Sequence, residues 1–146
     1  MAKFQIFTDS CSDLPTDVRA KLGLEYFPMG VVKDGKEMKA DIDWKEYSVT
    51  EFYNWMRQGA KLKTTQISVE TVCNMARPYL EKGYDILYLG CTVKLTGSIN
   101  SYNLAKEILL EEFPERRMEA VETTVASALE VCLLVMQRDY KIPANP

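Results

Sequence analysis

The sequence predicts an α/β fold, a three-layer domain with a mostly parallel sheet and helices on both faces. The chain has 146 residues, a length typical of one domain. Short apolar segments alternate with segments of helical period, and this order is typical of parallel strands with helices packed on both sides. The clearest strand, Asp85–Cys91, is an almost uninterrupted apolar run, as expected for a central strand that is buried on both faces.

The N-terminal part of the chain predicts a strand followed by a helix. Lys3–Phe7 is short and apolar and runs into a polar loop. A helix is predicted over Pro15–Leu22 because proline suits the first helical turn. Asp13 is the candidate N-cap of this helix, and Gly23 is the residue that ends it.

The next region predicts strands of irregular geometry. Glu25–Val32 is rich in strand-forming residues but contains Pro28, which favours an edge position or a bulge. Asp34-Gly35 predicts a tight turn into a short returning strand, Glu37–Lys39.

The helical spacing of apolar residues predicts two further helices in the middle of the chain. The first begins at Ser48 or Thr50 and ends near Gly59. The second is capped by Ser68 and ends at Gly83.

Three more elements are predicted after Asp85–Cys91. They are a helix over Ser98–Phe113, a strand over Met118–Glu122 and a helix over Val125–Arg138. We expect residues 1–139 to form the α/β domain. Residues 140–146, which contain two prolines, are predicted to be a tail or the start of a linker to an absent second domain.

Composition argues against several classes of function. Eighteen basic against 21 acidic residues give a net charge of −3, which differs from the concentrated basic face of nucleic-acid-binding proteins. No apolar run approaches the ~20 residues of a membrane span, and the N-terminus lacks a signal-peptide stretch, so we predict a cytoplasmic protein.

The chain contains no histidine, which removes a Ser-His-Asp triad and any histidine-dependent metal site. We therefore predict neither a metal nor a cofactor, and we expect the four cysteines, which lack C-x-x-C spacing, to be reduced.

Two clusters of neutral polar side chains precede predicted helices. One is Lys63–Ser68, KTTQIS, and the other is Thr92–Ser101, TVKLTGSINS. Helix N-termini present unpaired N–H groups and a partial positive charge, so they favour a carboxylate or a phosphate. In open α/β sheets the loops after the strands converge at one edge, where ligands bind. Here these loops are residues 8–13, 92–100 and 122–124. The pattern predicts a site for an anionic head group, with Thr64 and Thr96 as hydroxyl donors.

Each of these residues, considered alone, also has a purely structural explanation. Serine and threonine before a helix are most often plain N-caps. Asp9 and Asp13 serve either as a carboxylate pair for acid–base chemistry or as caps of turns. Gly97 either lets the backbone approach a ligand or makes a turn. A small enzyme with Asp9 or Asp13 as its base is therefore an alternative to a binding site.

Four segments, taken together and in order, resemble the DegV family. IFTDSCSDLP (residues 6–15) resembles the family's opening TDSxxDLP, and KTTQIS resembles its TTSQPS-like segment. LTGSINSYNLA (residues 95–105) resembles LSGTYQSAxxA, and AVETTVASALE (residues 120–130) resembles a vvDTxxaSxgeG run in weakened form. The resemblance implies the α/β fold of the family's N-terminal domain.

The same resemblance implies a fatty-acid-binding protein that is not an enzyme and that presents the acyl group to a separate kinase. Thr64 and Thr96 match the residues that hold the fatty-acid carboxylate in the family. Gly97 matches the glycine beside the second of these, and Asp9 and Ser10 match an Asp-Ser pair near the head-group end.

The sequence departs from the family pattern in its side chains and in its length. Thr65 and Ile67 occupy positions where the family pattern has serine and proline, and Thr96 occupies a position where it has serine. Ser98 stands for threonine and Glu122 for aspartate. The chain ends near the point where the family's second domain begins, a domain that supplies much of the acyl tunnel and a histidine ligand. We therefore expect either the N-terminal domain of a longer protein or a truncated relative. The isolated chain is expected to bind fatty acid weakly unless a second copy covers the groove in a homodimer. The alternative function is that of a truncated domain with an interaction or regulatory role and no lipid binding.

Overall fold

Seven β-strands and four α-helices make up residues 3–124, the part of the chain that the computed structural model describes. The strands are β1 (Lys3–Asp9), β2 (Leu24–Phe27), β3 (Met29–Lys33), β4 (Lys36–Ala40), β5 (Leu62–Thr65), β6 (Tyr84–Gly90) and β7 (Met118–Glu122). The helices are α1 (Thr16–Leu22), α2 (Val49–Arg57), α3 (Val69–Glu81) and α4 (Ser98–Glu112). The predicted helix over Val125–Arg138 and the predicted tail lie outside the described residues.

The main sheet is parallel and carries helices on both faces, so the predicted fold class is confirmed. Its strand order is β2-β1-β6-β7. Alternate residues of β6 point to opposite faces, as the period of a strand requires. Ile86 and Tyr88 pack in one core with residues of α3 and α4, whereas Leu89 packs with Leu14 and Leu24 beneath α1. Burial on both faces explains why the sequence of β6 is almost continuously apolar.

The predicted turn at Asp34-Gly35 and its returning strand are confirmed as an antiparallel pair of β3 and β4. The sequence did not predict that this pair forms a separate small sheet with β5. Its strand order is β4-β3-β5. The predicted single strand Glu25–Val32 is in fact two strands, because Pro28 separates β2 in the main sheet from β3 in the small sheet. Proline has no N–H group to donate to a sheet ladder, so the chain changes sheet there. No element was predicted at β5, because its residues, Leu-Lys-Thr-Thr, show no apolar alternation. Pairing with β3 makes this segment a strand.

The predicted helix ends agree with the structure except at α1. Asp13 does not cap α1, because it ends a single 3₁₀ turn over Ser10–Ser12 with φ of 51°. The N-cap of α1 is Pro15, which makes no side-chain capping bond, and Gly23 ends the helix with φ of 64°, as predicted. Ser48 caps α2 in a reciprocal capping box with Glu51, and Ser68 caps α3.

Candidate functional site

The two hydroxyl-rich segments identified in the sequence lie against each other. Nε2 of Gln66 donates to Oγ of Ser101 at 2.8 Å, and the backbone N–H of Ile67 donates to Oγ of Ser98 at 3.3 Å. Gly97 lies so close to Gln66 that a Cβ added at position 97 would overlap Oε1 of the glutamine. The segment that follows β5 and the start of α4 therefore form one continuous polar surface.

Local structure places Thr64 and Thr65 on opposite faces of the small sheet. Thr64 is exposed and pairs with Val31, whereas Thr65 pairs with Gly30. Oγ1 of Thr65 donates to Glu37 at 2.8 Å across the sheet. Thr64 thus belongs to a strand and not to a helix start, which corrects the prediction that both clusters would be helix N-termini. The segment is anchored by Ile67, whose side chain is fully buried in the main core.

Thr96 lies beside the start of α4. Its hydroxyl shares a hydrogen bond of 2.8 Å with the hydroxyl of Ser98 and accepts one from the Ser98 backbone N–H at 3.3 Å. Because Ser98 also accepts from Ile67, the Thr96 hydroxyl is connected to the segment after β5. The N-cap of α4 is Gly97, which makes no side-chain capping bond, whereas α2 and α3 are capped by serine. The Thr96 side chain is half-buried.

Asp9 is fully buried and holds two loops together. Its Oδ1 accepts from the backbone N–H of Cys11 at 2.8 Å, and its Oδ2 accepts from the Tyr88 hydroxyl at 2.6 Å and the Cys91 backbone N–H at 3.3 Å. An acid–base role needs a carboxylate that a substrate can reach, and Asp9 has 0% exposure. Asp13 is exposed at the end of the 3₁₀ turn. The geometry therefore does not support the predicted carboxylate pair.

Ser10 connects the end of β1 to the small sheet. Its hydroxyl donates to the carbonyl of Ala40 at 2.8 Å and accepts from the backbone N–H of Met29 at 2.9 Å. Ser10 is half-buried. These two bonds fix the position of the small sheet next to the carboxyl edge of the main sheet.

The predicted convergence of loops at one edge of the main sheet is confirmed. Glu122 at the end of β7 accepts from the Thr92 hydroxyl at 2.7 Å and from the Val93 backbone N–H at 2.9 Å. The hydrogen bond from Thr92 is the main cause that lowers the pKa of Glu122. The Thr123 hydroxyl donates to the carbonyl of Gly90 at 3.0 Å. Together with the bonds of Asp9, these contacts tie the ends of β1, β6 and β7 to one another.

Sequence reasoning missed the contributions of Gln66, Ser98 and Ser101. All three lie inside the two segments that the sequence singled out, so their polar character was visible. Which of them pair depends on how the segment after β5 packs on α4, and local patterns carry no information about that.

Residues 3–124 contain neither a candidate metal site nor a candidate membrane span. Within residues 3–124 there is no group of three or more histidine, cysteine, aspartate or glutamate residues that could hold a metal ion. No helix in the same segment combines the length and apolar character needed to cross a membrane.

The match to a known family covers nearly the whole chain. The sequence profile described as an uncharacterised protein of the DegV family matches residues 3–139. The chain belongs to the DegV family. A DegV domain-containing protein of Clostridium perfringens is 35% identical over 126 residues, covering 86% of this chain and 43% of the relative.

Solved structures of DegV proteins share the fold. A DegV family protein from Thermus thermophilus, described as fatty-acid binding, has 31% identity and a TM-score of 0.76, and the match covers 96% of this chain and 49% of that one. A stearic-acid-binding protein from Eubacterium ventriosum has 25% identity and a TM-score of 0.83, covering 93% of this chain and 48% of that one. The chain thus spans about half the length of the relatives it matches.

Proposed function

We propose that this DegV-family chain binds the carboxylate of a fatty acid between the Lys63–Ser68 segment and the start of α4. The observation that carries the proposal is the direct contact between the two hydroxyl-rich segments, through Gln66–Ser101 and Ile67–Ser98. The solved relatives described as binding fatty acid and stearic acid support this class of ligand.

In the proposed site, Thr64 and Thr96 donate hydrogen bonds to the carboxylate. Thr64 is exposed and Thr96 is half-buried, so a ligand reaches both side chains. The N-terminus of α4, a helix of 15 residues, adds backbone N–H groups and a partial positive charge. A hydrogen bond to a charged group contributes about 1.5–3 kcal/mol. Two hydroxyls and one helix end therefore hold the head group without a cationic side chain.

The other three predicted site residues shape the site in this proposal. Gly97 leaves room for Gln66, and Ser10 fixes the small sheet that carries Thr64. Asp9 positions the loops after β1 and β6 through its three hydrogen bonds. Direct contact of Asp9 with the ligand would place two negative charges together, which is unfavourable.

The proposal includes a second unit that covers the acyl chain. Each CH₂ group removed from water contributes about 0.8 kcal/mol, so a long chain needs an apolar enclosure. We propose that either a second domain, as the length of the relatives suggests, or a second copy of this chain supplies it. A carboxylate at the rim of the sheet stays within reach of a kinase partner. We also propose that the protein binds its ligand without catalysing a reaction and that it does so in the cytoplasm.

Native mass spectrometry of the protein expressed in bacteria tests the proposal. We expect a co-purified long-chain fatty acid, with its occupancy reduced at least tenfold in Thr64→Val and in Thr96→Val, because each change removes a hydroxyl and keeps the shape. Thr50→Val on the exposed surface of α2 is the matched control, and it should retain the ligand.

Two outcomes would contradict the proposal. Occupancy that is unchanged in both variants would show that the hydroxyls do not hold the carboxylate. Protein free of fatty acid, both as purified and after incubation with stearic acid, would favour the alternative of an interaction or regulatory domain that binds no lipid.

A further inference from the structure

A cavity of about 340 Å³ lies between the small sheet, α2 and the connection from β4 to α2. Three aromatic side chains line it, namely Trp44, Tyr47 and Phe52. Two carboxylates, Asp13 and Asp41, also belong to the lining. The volume lies within the range of sites that bind small organic ligands, about 300–1,000 Å³. The cavity therefore combines aromatic rings with negative charge.

The three rings form an aromatic corner. The Tyr47 and Phe52 rings are nearly parallel, with 19° between their planes and 5.8 Å between their centroids. The Trp44 ring stands across both, at 84° to Tyr47 and 68° to Phe52. The face of an aromatic ring is the negative part of its quadrupole, so rings at steep angles attract one cation from two sides. Aromatic cages that bind quaternary ammonium groups use the same interaction.

The aromatic corner is anchored at one end and open at the other. The Tyr47 hydroxyl donates to the carbonyl of Lys39 at 3.1 Å, and Tyr47 is buried. Trp44 is 38% exposed, and Phe52 is half-buried between solvent and the small sheet. A ligand therefore reaches the corner from the side of Trp44.

The lining of the cavity carries negative charge. Asp41 accepts from the Tyr26 hydroxyl at 2.7 Å and from the backbone N–H groups of Asp43 at 2.9 Å and Lys45 at 3.1 Å. Burial raises the pKa of Asp41, but these hydrogen bonds outweigh burial and lower it, so the carboxylate is ionised at neutral pH. Asp13 is exposed and adds a second carboxylate. An organic cation is therefore favoured here over an anion.

Positive charges close to the cavity have partners outside it. Arg19 and Lys45 form ion pairs with Asp43. Nζ of Lys33 lies over the Trp55 ring, 4.1 Å from its centroid, so a ring of α2 already accepts a cation. In the part of the chain that the structure describes, neither lysine nor arginine lines the cavity, so no side chain of that kind neutralises the lining from within.

We propose that this cavity binds a quaternary ammonium group, such as that of choline, with its methyl groups against Trp44, Tyr47 and Phe52 and its charge facing Asp13 and Asp41. Such a group has no N–H to donate and spreads its charge over methyl groups, so it suits a wall of rings. A lysine-type ammonium is more strongly hydrated and loses more on leaving water. The inference goes beyond the proposed function and does not depend on it, because the site at Thr64 and Thr96 takes an anion.

Isothermal titration calorimetry of the full chain tests the site with two ligands of the same shape. One is choline, and the other is the neutral alcohol dimethylbutanol, which has a tert-butyl group in place of the trimethylammonium group. We expect choline to bind about tenfold more tightly, since only its charge interacts with the ring faces and the carboxylates. Equal affinities, or no binding of choline, would overturn the proposal.

Two variants provide a second measurement. Trp44→Leu should weaken choline binding about fivefold, because a ring face is lost. Asp13→Asn should weaken it about threefold and leave dimethylbutanol unaffected, and asparagine tolerates the φ of 51° at this position. Asp17→Asn on the exposed surface of α1 makes the same change of charge outside the lining and is the matched control, so it should leave choline binding unchanged. Choline affinity that is unchanged in Trp44→Leu and Asp13→Asn, or equally weakened in Asp13→Asn and Asp17→Asn, would overturn the site.

Discussion

At Gly97, a single missing side chain determines how two segments meet. Its φ is −86°, a conformation open to any residue, so backbone strain does not explain the glycine. The reason is space, since a Cβ would overlap the end of the Gln66 side chain. Gln66 in turn donates to Ser101, the contact that joins the two hydroxyl-rich segments.

Gly97→Ala should destabilise the protein by about 1–2 kcal/mol, because Gln66 must leave its place and the Ser101 hydroxyl loses its partner. Urea unfolding of the single variants and of the double variant with Gln66→Ala measures this. Removing the glutamine side chain relieves the overlap, so we expect the two changes to be coupled by about 1 kcal/mol. Strictly additive effects would mean that Gln66 does not fill the space beside Gly97.

Asp9 illustrates a residue whose identity was visible in the sequence and whose role was not. An Asp-Ser pair at the end of a strand fits a ligand contact, a turn cap or a catalytic carboxylate equally well. Full burial and three hydrogen bonds identify it as a link between the loops after β1 and β6.

At the scale of elements, the connection from β4 to α2 is held by a buried ion pair. Asp43 accepts hydrogen bonds from the Thr16 hydroxyl and the Arg19 guanidinium of α1. The Arg19 and Asp43 side chains are 8% and 12% exposed. The bond from Thr16 and then those from Arg19 and Lys45 lower the pKa of Asp43 to about 2, against the opposing effect of burial. This pair fixes the connection between β4 and α2, which carries Trp44.

Asp43→Asn should lower the free energy of unfolding by about 3 kcal/mol at pH 7, because it leaves the Arg19 charge buried without its partner. A carboxylate whose pKa is lower in the folded state stabilises the fold at pH values above its unfolded pKa of about 3.9. For Asp43 this contribution is lost as the pH falls to about 2. The difference between wild type and variant should therefore shrink between pH 4 and pH 2.

Urea unfolding across this pH interval measures the effect. Asp17→Asn, which removes an exposed ion pair with Lys21, is the matched control and should change stability little at any pH. A difference between wild type and Asp43→Asn that stays constant down to pH 2 would show that the charge of Asp43 does not stabilise the fold.

For the whole molecule, the distribution of exposed apolar side chains bears on self-association. Leu95 is 72% exposed and lies one residue before Thr96, at the edge where the loops converge. Leu104, 55% exposed, lies on the outer surface of α4. Burying a leucine side chain contributes about 1.5–3 kcal/mol, and exposed apolar groups beside a binding site favour a covering partner.

Sedimentation velocity over a range of concentrations should show the chain self-associating, as expected if a second copy covers the groove. Leu95→Ser should weaken the association at least tenfold, since the change acts at the edge of the groove. Leu104→Ser removes a similar side chain from another surface and should have little effect. A monomer at every concentration, or equal effects of the two variants, would argue against dimerisation through this edge.

The sequence alone was sufficient to predict the parallel sheet, the bounds of β7, the caps of α2 and α3 and the two polar segments. These features depend on local periodicity, on capping residues and on turn chemistry, all of which are encoded within a few residues. The tertiary structure decided the addition of β5 to the small antiparallel sheet, the placement of Thr64 on a strand and the burial of Asp9. Each of these depends on pairing between segments distant in the chain, such as β3 with β5, and local patterns do not specify such pairing.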